Sequence, residues 1–297
     1  MPPIALALLI TAAALHAGWN LLVKRAGEKQ VFTWWALVVG SLCFAPLLAF
    51  SPALPLAVWP YVVASALVEL VYYIVLLRAY SLGDFSLVYP LARGAAPAFL
   101  ALWAMLFLGE RPRPGGLAGL ALLLLGLLLV GGAARRLAPL TGLVGGASAG
   151  RPAARLGLGA VGAALSVAFC ISIYSAIDGA AVRLASPITY TVAVIGLSAV
   201  LITPAVLLRY GLRAAAAEWR ANWPRIVVVG VLTLLTYLLV MQAYALGRVG
   251  YAGAIREVSV VFAALVGWRW LGEGFGAMRT AGAVLIFLGI LVIALAG

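Results

Sequence analysis

The sequence predicts an all-α polytopic membrane protein, with ten transmembrane helices arranged as two inverted five-helix repeats. Three observations predict it. Of 297 residues, 66% are hydrophobic and only 9% charged, with a mean hydropathy of +1.16. A soluble domain cannot bury that much apolar surface. The apolar runs are continuous and about 20 residues long, the length of a membrane-crossing helix, whereas a barrel would show short alternating strands. Finally, the second half of the chain repeats landmarks of the first.

A rise of about 1.5 Å per residue sets the ruler. On it the spans fall at 3–24, 31–50, 58–80, 86–108, 115–133, 157–181, 187–209, 222–246, 250–271 and 276–296. The first span has no basic segment before it and carries His16 and Asn20, so it reads as a spanning helix and not as a cleaved signal peptide. The longest stretch without apolar character runs from Arg135 to Arg155 and is rich in Gly, Ala, Arg and Pro, the composition of a linker. The expected domains are therefore 1–134 as the first repeat, 135–156 as the linker and 157–297 as the second repeat.

Rare residues carry the duplication. At an offset of 164, Trp59-Pro60 meets Trp223-Pro224, Glu69 meets Thr233, Tyr73 meets Tyr237, and Gly83 meets Gly247. At 163, Arg93 meets Arg256, Glu110 meets Glu273, Gly119 meets Gly282 and Gly126 meets Gly289. Near the start an offset of 158 pairs Asn20 with Asp178, Arg25 with Arg183 and Pro46 with Pro204. Five helices per repeat is an odd number, so the second copy enters the membrane from the opposite side. Inverted repeats of this kind are a common transporter architecture, with the substrate near the midplane between the halves.

The formal charge of +12 does not point to nucleic acid, because most Lys and Arg lie in short loops, where they set orientation and meet anionic lipid headgroups. With the N-terminus outside, the cytoplasmic loops hold 14 Lys and Arg and the remaining loops 4, so the positive-inside rule places both termini outside. Cys43 and Cys170 fall inside apolar segments and make no metal pattern. No metal or cofactor is expected. The sequence has no phosphate-binding loop, no Gly-x-Ser-x-Gly and no HExxH, so neither an ATP-driven pump nor a hydrolase is indicated.

Two five-helix repeats, His16-Ala17-Gly18-Trp19-Asn20 in the first span, Arg78-Ala79-Tyr80 at the end of the third and Leu108-Gly109-Glu110 after the fourth resemble the EamA family of the drug/metabolite transporter superfamily. The resemblance covers nearly the whole chain. It implies a transporter with a central cavity lined mainly by spans 1, 3, 4, 6, 8 and 9, with spans 5 and 10 as scaffold. Members of the family are often drawn with both termini in the cytoplasm, against the charge count. Export is the direction the family implies.

Charges inside a membrane are costly, and their default reading is functional. Arg93 and Arg256 lie about two turns inside apolar segments. Their planar guanidinium forks suit a carboxylate or phosphate, unless they snorkel to the interface or tie helices together. Adjacent Glu257 points about 100° away on an ideal helix and need not pair with Arg256. Glu69 shares a face with Tyr72 and Tyr73; a carboxylate beside aromatic rings suits an ammonium group, and it is also a proton-coupling candidate. Asp178, near Tyr174, suits a local ion pair with Arg183. His16, flanked by Trp19 and Asn20, is either a proton relay or a hydrogen-bonded core residue. Tyr89 and Tyr237 complete the candidate substrate-binding set.

Trp34, Trp35, Trp59, Trp219 and Trp223 read as interfacial belt residues. The glycines of spans 5 and 10 read as packing seams, within a monomer or in a homodimer. Glu110 and Glu273 read as capping residues. The function expected from all this is a secondary transporter, not an enzyme, in the cell membrane. It moves a small polar metabolite, zwitterionic or anionic, by alternating access. The alternative is a flippase for a lipid or lipid-linked phosphate headgroup. The partners are then the small-molecule substrate and membrane lipids.

Overall fold

The computed structural model of the protein describes residues 1–24, 26–82, 85–130, 158–262 and 277–296. Within them the regular structure is helical. The first repeat supplies α1 (Pro3–Lys24), α2 (Lys29–Phe44), α3 (Trp59–Leu82), α4 (Phe85–Phe107) and α5 (Pro114–Val130). The second supplies α6 (Leu158–Ala181), α7 (Pro187–Leu246), α8 (Val249–Arg256) and α9 (Ala277–Ala296). Five helical stretches among the described residues are long and apolar enough to cross a membrane, and three shorter apolar helices accompany them. Large apolar side chains such as Phe50, Leu106, Phe107, Leu208 and Phe287 stand exposed around the outside, as a lipid-facing surface requires.

Three elements depart from the expected spans, each for a local reason. The second was expected to run to residue 50. It leaves α-geometry at Phe44 and tightens into a 3-10 turn over Ala45–Phe50, because Pro46 has no N–H for the α ladder. Spans seven and eight were expected with a loop between them. Instead α7 continues for 60 residues, interrupted only at Gly211 (φ 77°, ψ 162°). That conformation is open to glycine and strained for other residues. After it the Ala214–Ala217 run, made of the strongest helix former, keeps the connection helical despite its charged neighbours. The arms before and after the break, 187–210 and 212–246, are α7a and α7b below. The ninth span was expected to be one helix over 250–271. It leaves regular α-geometry after Arg256, where Glu257, Val258 and Val260 donate their N–H groups three residues back, at 3.1, 3.0 and 3.0 Å. Residues 263–276, and with them Glu273, lie outside the described part, as do residues 131–157, which contain the linker 135–156.

Repeat mates run antiparallel, which is what an inverted repeat means in space. On α5 and α9, a Cβ added at Gly119 would stand 2.8 Å from the Gly289 carbonyl, and one added at Gly126 would stand 2.6 Å from that of Gly282. Gly119 thus faces the mate of Gly126, and the reverse. This crossed pattern is the signature of a two-fold axis between two equivalent surfaces. The glycine seam lies within the monomer, where absent side chains let the backbones approach. On α4 and α8, Leu100 meets Gly253 while Ala101 meets Gly250, again antiparallel.

Packing runs mostly between the repeats. α2 packs along α7, α3 and α4 pack on α6, and α1 packs on α7. Gly40 of α2 and Gly230 of α7b meet backbone to backbone. The Trp34 indole N–H donates to Thr203 Oγ1 at 2.8 Å, and that of Trp35 to the Ala215 carbonyl at 2.9 Å. Trp35 also stacks on Trp219. These three tryptophans therefore hold α2 against α7 and are not belt residues. Trp59 and Trp223, 44% and 54% exposed, keep the belt reading.

Glu110 does cap a helix, but not its own. It accepts the N–H groups of Val249 and Gly250 at the start of α8, at 2.6 and 3.2 Å, and pairs with Arg183 at 2.9 Å. A carboxylate at a helix N-terminus meets the unpaired amides and the positive end of the helix dipole.

Candidate functional site

A cavity of about 160 Å³ opens between the two repeats, lined by both. Residues of α1 (His16, Trp19), α3 (Glu69, Tyr72, Tyr73), α4 (Arg93), α6 (Tyr174), α7b (Thr233, Thr236, Tyr237, Val240) and α8 (Arg256) form its wall. These are the six spans that the family resemblance implied. Leu37 of α2, Ile195 of α7a and Ser259 add to them.

The wall follows the repeat. At an offset of 158, His16 pairs with Tyr174 and Leu37 with Ile195; at 164, Glu69 pairs with Thr233, Tyr72 with Thr236 and Tyr73 with Tyr237; at 163, Arg93 pairs with Arg256. Both members of each pair face the cavity, so the cavity sits on the pseudo-two-fold axis. Four of the lining residues not singled out from sequence, Thr233, Thr236, Leu37 and Ile195, carry no chemical signal of their own in an apolar background. The repeat was the available signal: each is the mate of a residue on the wall.

The cationic end is built on one acid. Arg93 Nη1 donates to both oxygens of Glu257, at 3.2 and 3.1 Å. Arg256 Nε and Nη2 donate to Glu257 Oε1 at 3.3 and 3.2 Å. The neighbours that an ideal helix would splay apart thus do pair, because the long Arg256 side chain reaches across to its neighbour. The Glu257 side chain is fully buried, whereas each arginine is 16% exposed. The acid lies behind the two cations, which present themselves to the cavity. Arg93 Nη2 also meets His16 Nε2 at 3.1 Å. A guanidinium only donates, so His16 accepts there with a neutral ring. The imidazole rests edge-on against Trp19, ring centres 4.8 Å apart. Arg256 further approaches the hydroxyls of Ser175 and Tyr244, both at 3.5 Å.

A second network surrounds the other acids. Ser198 Oγ donates to Glu69 Oε2 at 2.6 Å. Asp178 Oδ1 accepts from Ser65 Oγ at 2.6 Å and from the Tyr190 hydroxyl at 2.7 Å. The Tyr237 hydroxyl stands between the two acids: it donates a short bond to Asp178 Oδ2 and lies 3.3 Å from Glu69 Oε1. The expected ion pair of Asp178 with Arg183 does not form. Arg183 turns instead to Glu110 and to the Leu108 carbonyl, while the hydroxyls of α3 and α7 take Asp178. Asp178 is fully buried and reaches the cavity only through Tyr237. Asn20 is also off the wall; its amide donates to the His16 carbonyl at 2.7 Å. Tyr89 falls on α4, but its side chain lies outside the described residues.

Between the charged groups stand the rings of Tyr72, Tyr73 and Tyr174 in edge-to-face contacts, centres 5.3 and 6.1 Å apart. Two polar atoms on the wall, Trp19 Nε1 and Thr236 Oγ1, are buried without a hydrogen-bond partner among the described residues. The site therefore offers paired cations, an acid and aromatic faces.

The EamA-like transporter family model matches residues 3–132 and again residues 158–295. A solved crystal structure aligns with a TM-score of 0.72 at 20% identity, over 98% of this chain and 97% of its own; at that identity it speaks for the fold alone. No functionally curated protein matches the chain. With the helical bundle, its apolar exterior and a family match covering both repeats, the protein belongs to the EamA-like transporter family and is a multi-pass membrane transporter.

Proposed function

We propose that the protein moves a small zwitterionic or anionic metabolite across the cytoplasmic membrane by alternating access. The two inverted repeats rock about the central cavity and expose it to each side in turn. The observation that carries the reading is the convergence of Arg93 and Arg256 on one acid. Two fixed cations share Glu257, which leaves an excess positive charge on the cavity wall for a carboxylate or phosphonate. Glu69 and the tyrosine faces suit an amino group, so amino acids and amino-phosphonates fit both kinds of group. A cavity of about 150 Å³ takes one benzene-sized molecule, and this one, at about 160 Å³, suits a small solute better than a lipid headgroup. The direction we propose is export, by analogy with the family alone. Glu69 and His16 are the candidates for proton coupling.

Flux of labelled amino acids, amino-phosphonates and a quaternary amine in liposomes holding the purified protein tests this reading. Arg93→Lys and Arg256→Lys keep the charge but lose the two-pronged fork. Each is expected to weaken transport of the anionic solutes about tenfold, the effect of one lost charge-assisted hydrogen bond. Unchanged anion flux in both variants would remove the paired-cation site.

A further inference from the structure

We propose that Glu69 and Asp178 share a single proton through the Tyr237 hydroxyl, making one proton-binding site that opens to the cavity at Glu69. Three oxygens stand in a row: Glu69 Oε1, the Tyr237 hydroxyl and Asp178 Oδ2, with 3.3 Å across the first gap and a short bond across the second. Each gap needs one hydrogen. Tyr237 brings one, and the second must sit on a carboxyl. With no such proton, one gap sets lone pair against lone pair. With two, one gap holds a surplus hydrogen. A single proton satisfies the row.

Where that proton rests follows from the other bonds. Asp178 already accepts three hydroxyl bonds, from Ser65, Tyr190 and Tyr237, and hydrogen bonds to the charged form favour it. Glu69 accepts one firm bond, from Ser198, and its Oε1 faces a hydroxyl whose hydrogen is spent on Asp178. The proton therefore sits on Glu69 Oε1 and donates to Tyr237. Transfer of the Glu69 hydrogen to the Tyr237 oxygen, as the Tyr237 hydrogen passes to Asp178, protonates Asp178 and leaves Glu69 ionised and facing the new Tyr237 O–H. No bond other than O–H is made or broken, and the charge of the pair stays at minus one.

Charge balance points the same way independently. In the middle of the bundle the described residues include two arginines, Arg93 and Arg256, and three acids, Glu69, Asp178 and Glu257. His16 is neutral as an acceptor of Arg93. With every acid ionised the set carries a net charge inside the membrane, which is costly. With one acid protonated it is neutral. Among the described residues the groups facing the pair are Ser65 and Tyr73 on α3, Tyr174 on α6, Tyr190 and Ser198 on α7a, Tyr237 and Tyr244 on α7b and Arg256 on α8. Arg256 is the one cation among them, and Glu257 already engages it.

The pair is also where a gradient would act. Asp178 is sealed from the cavity and Glu69 lines it, so protons enter and leave through Glu69 while Asp178 holds the charge. The role as a coupling site rests on the transporter reading above; the proton itself does not. The measurement is infrared spectroscopy of purified protein titrated from mildly acid to alkaline pH, in H₂O and D₂O, with no solute present. The expected result is one protonated-carboxyl C=O band at neutral pH that shifts in D₂O and titrates as a single proton.

Glu69→Gln and Asp178→Asn should each abolish that band, since either amide can supply the missing hydrogen and either change leaves the charges balanced. Tyr237→Phe should keep the band but move its frequency and midpoint. A wild-type spectrum without the band overturns the proposal and needs no variant. A band that survives both amide variants, or is lost in only one, overturns the sharing. Because no flux is measured, failure here is distinct from failure of the transport assay.

Discussion

The two halves of the molecule match at the glycines of the α5–α9 seam and diverge where they meet the cavity. At the α5–α9 seam the halves are interchangeable: glycine faces glycine, and each faces the mate of its own neighbour along the helix. At the cavity the backbone positions are equally paired, yet the side chains diverge. Arg93 and Arg256 match, but Gly94 stands where the other half has Glu257, and Thr233 stands where the first half has Glu69. At Gly119 and Gly126, where the backbones of this seam approach most closely, both mates are glycine. A binding site for an asymmetric solute, by contrast, needs unlike groups at like positions.

The comparison can be broken most forcefully at Glu257. Glu257→Gln leaves two arginines sharing no acid, and removing one partner of a buried ion pair costs about 3–5 kcal/mol, read as a fall in thermal unfolding midpoint in detergent. If the halves are equivalent scaffolds, Gly94→Glu added to Glu257→Gln should recover part of that loss. At Gly94 the nearest obstacle is a flexible one, Leu128 Cδ2 at 3.3 Å.

The seam offers the next effect. Gly126→Ala would gain about 1 kcal/mol of helix propensity in an open site. Here the new Cβ meets the Gly282 carbonyl at 2.6 Å, and overpacking of this kind costs about 1–3 kcal/mol. Gly289→Ala, 2.7 Å from the Gly119 carbonyl, should lose about the same. Unequal losses in the two variants would show that the two-fold relation does not extend to the energetics.

Glu110→Ala removes the cap of α8 together with the Arg183 pair. The expected cost is about 1–2 kcal/mol, with faster amide exchange at Val249 and Gly250 than elsewhere on α8. The smallest effect belongs to a bond present in one half only. Trp34 donates to Thr203, but its mate is Val192, so Trp34→Phe should cost about 1 kcal/mol in a double-mutant cycle with Thr203→Val.

Much of the fold was legible because membrane helices announce themselves by length and apolarity. The ends of α1, α3 and α6 fall within a residue or two of the expected ones. The misses were local. The α7 connection looked like a loop because it is charged, and its alanines outweighed that. The second span looked continuous because Pro46 sits among apolar residues that carry no break of their own. In the site, the charged and imidazole candidates that line the cavity, Arg93, Arg256, Glu69 and His16, stand out because their polarity is out of place in an apolar segment, and the candidates Trp19, Tyr72, Tyr73, Tyr174 and Tyr237 line it beside them. Asp178 drew notice for the same reason, but its partners are hydroxyls from other helices, which no local spacing reveals. Thr233 and Thr236 are ordinary residues in a membrane helix, and only their mates mark them.

By itself the sequence determined that the chain is a membrane bundle, that it is duplicated, and that the duplication is inverted. Composition, span length and an odd helix count are sufficient for those. The tertiary structure decided which charges meet. One carboxylate, Glu257, holds two arginines from opposite repeats, and one hydroxyl, Tyr237, stands between two acids drawn from different repeats. Arg93 lies 164 residues from Glu257, and Glu69 lies 168 from Tyr237. Their pairing depends on how antiparallel mates cross at the pseudo-two-fold axis, a long-range property that spacing along one helix does not contain.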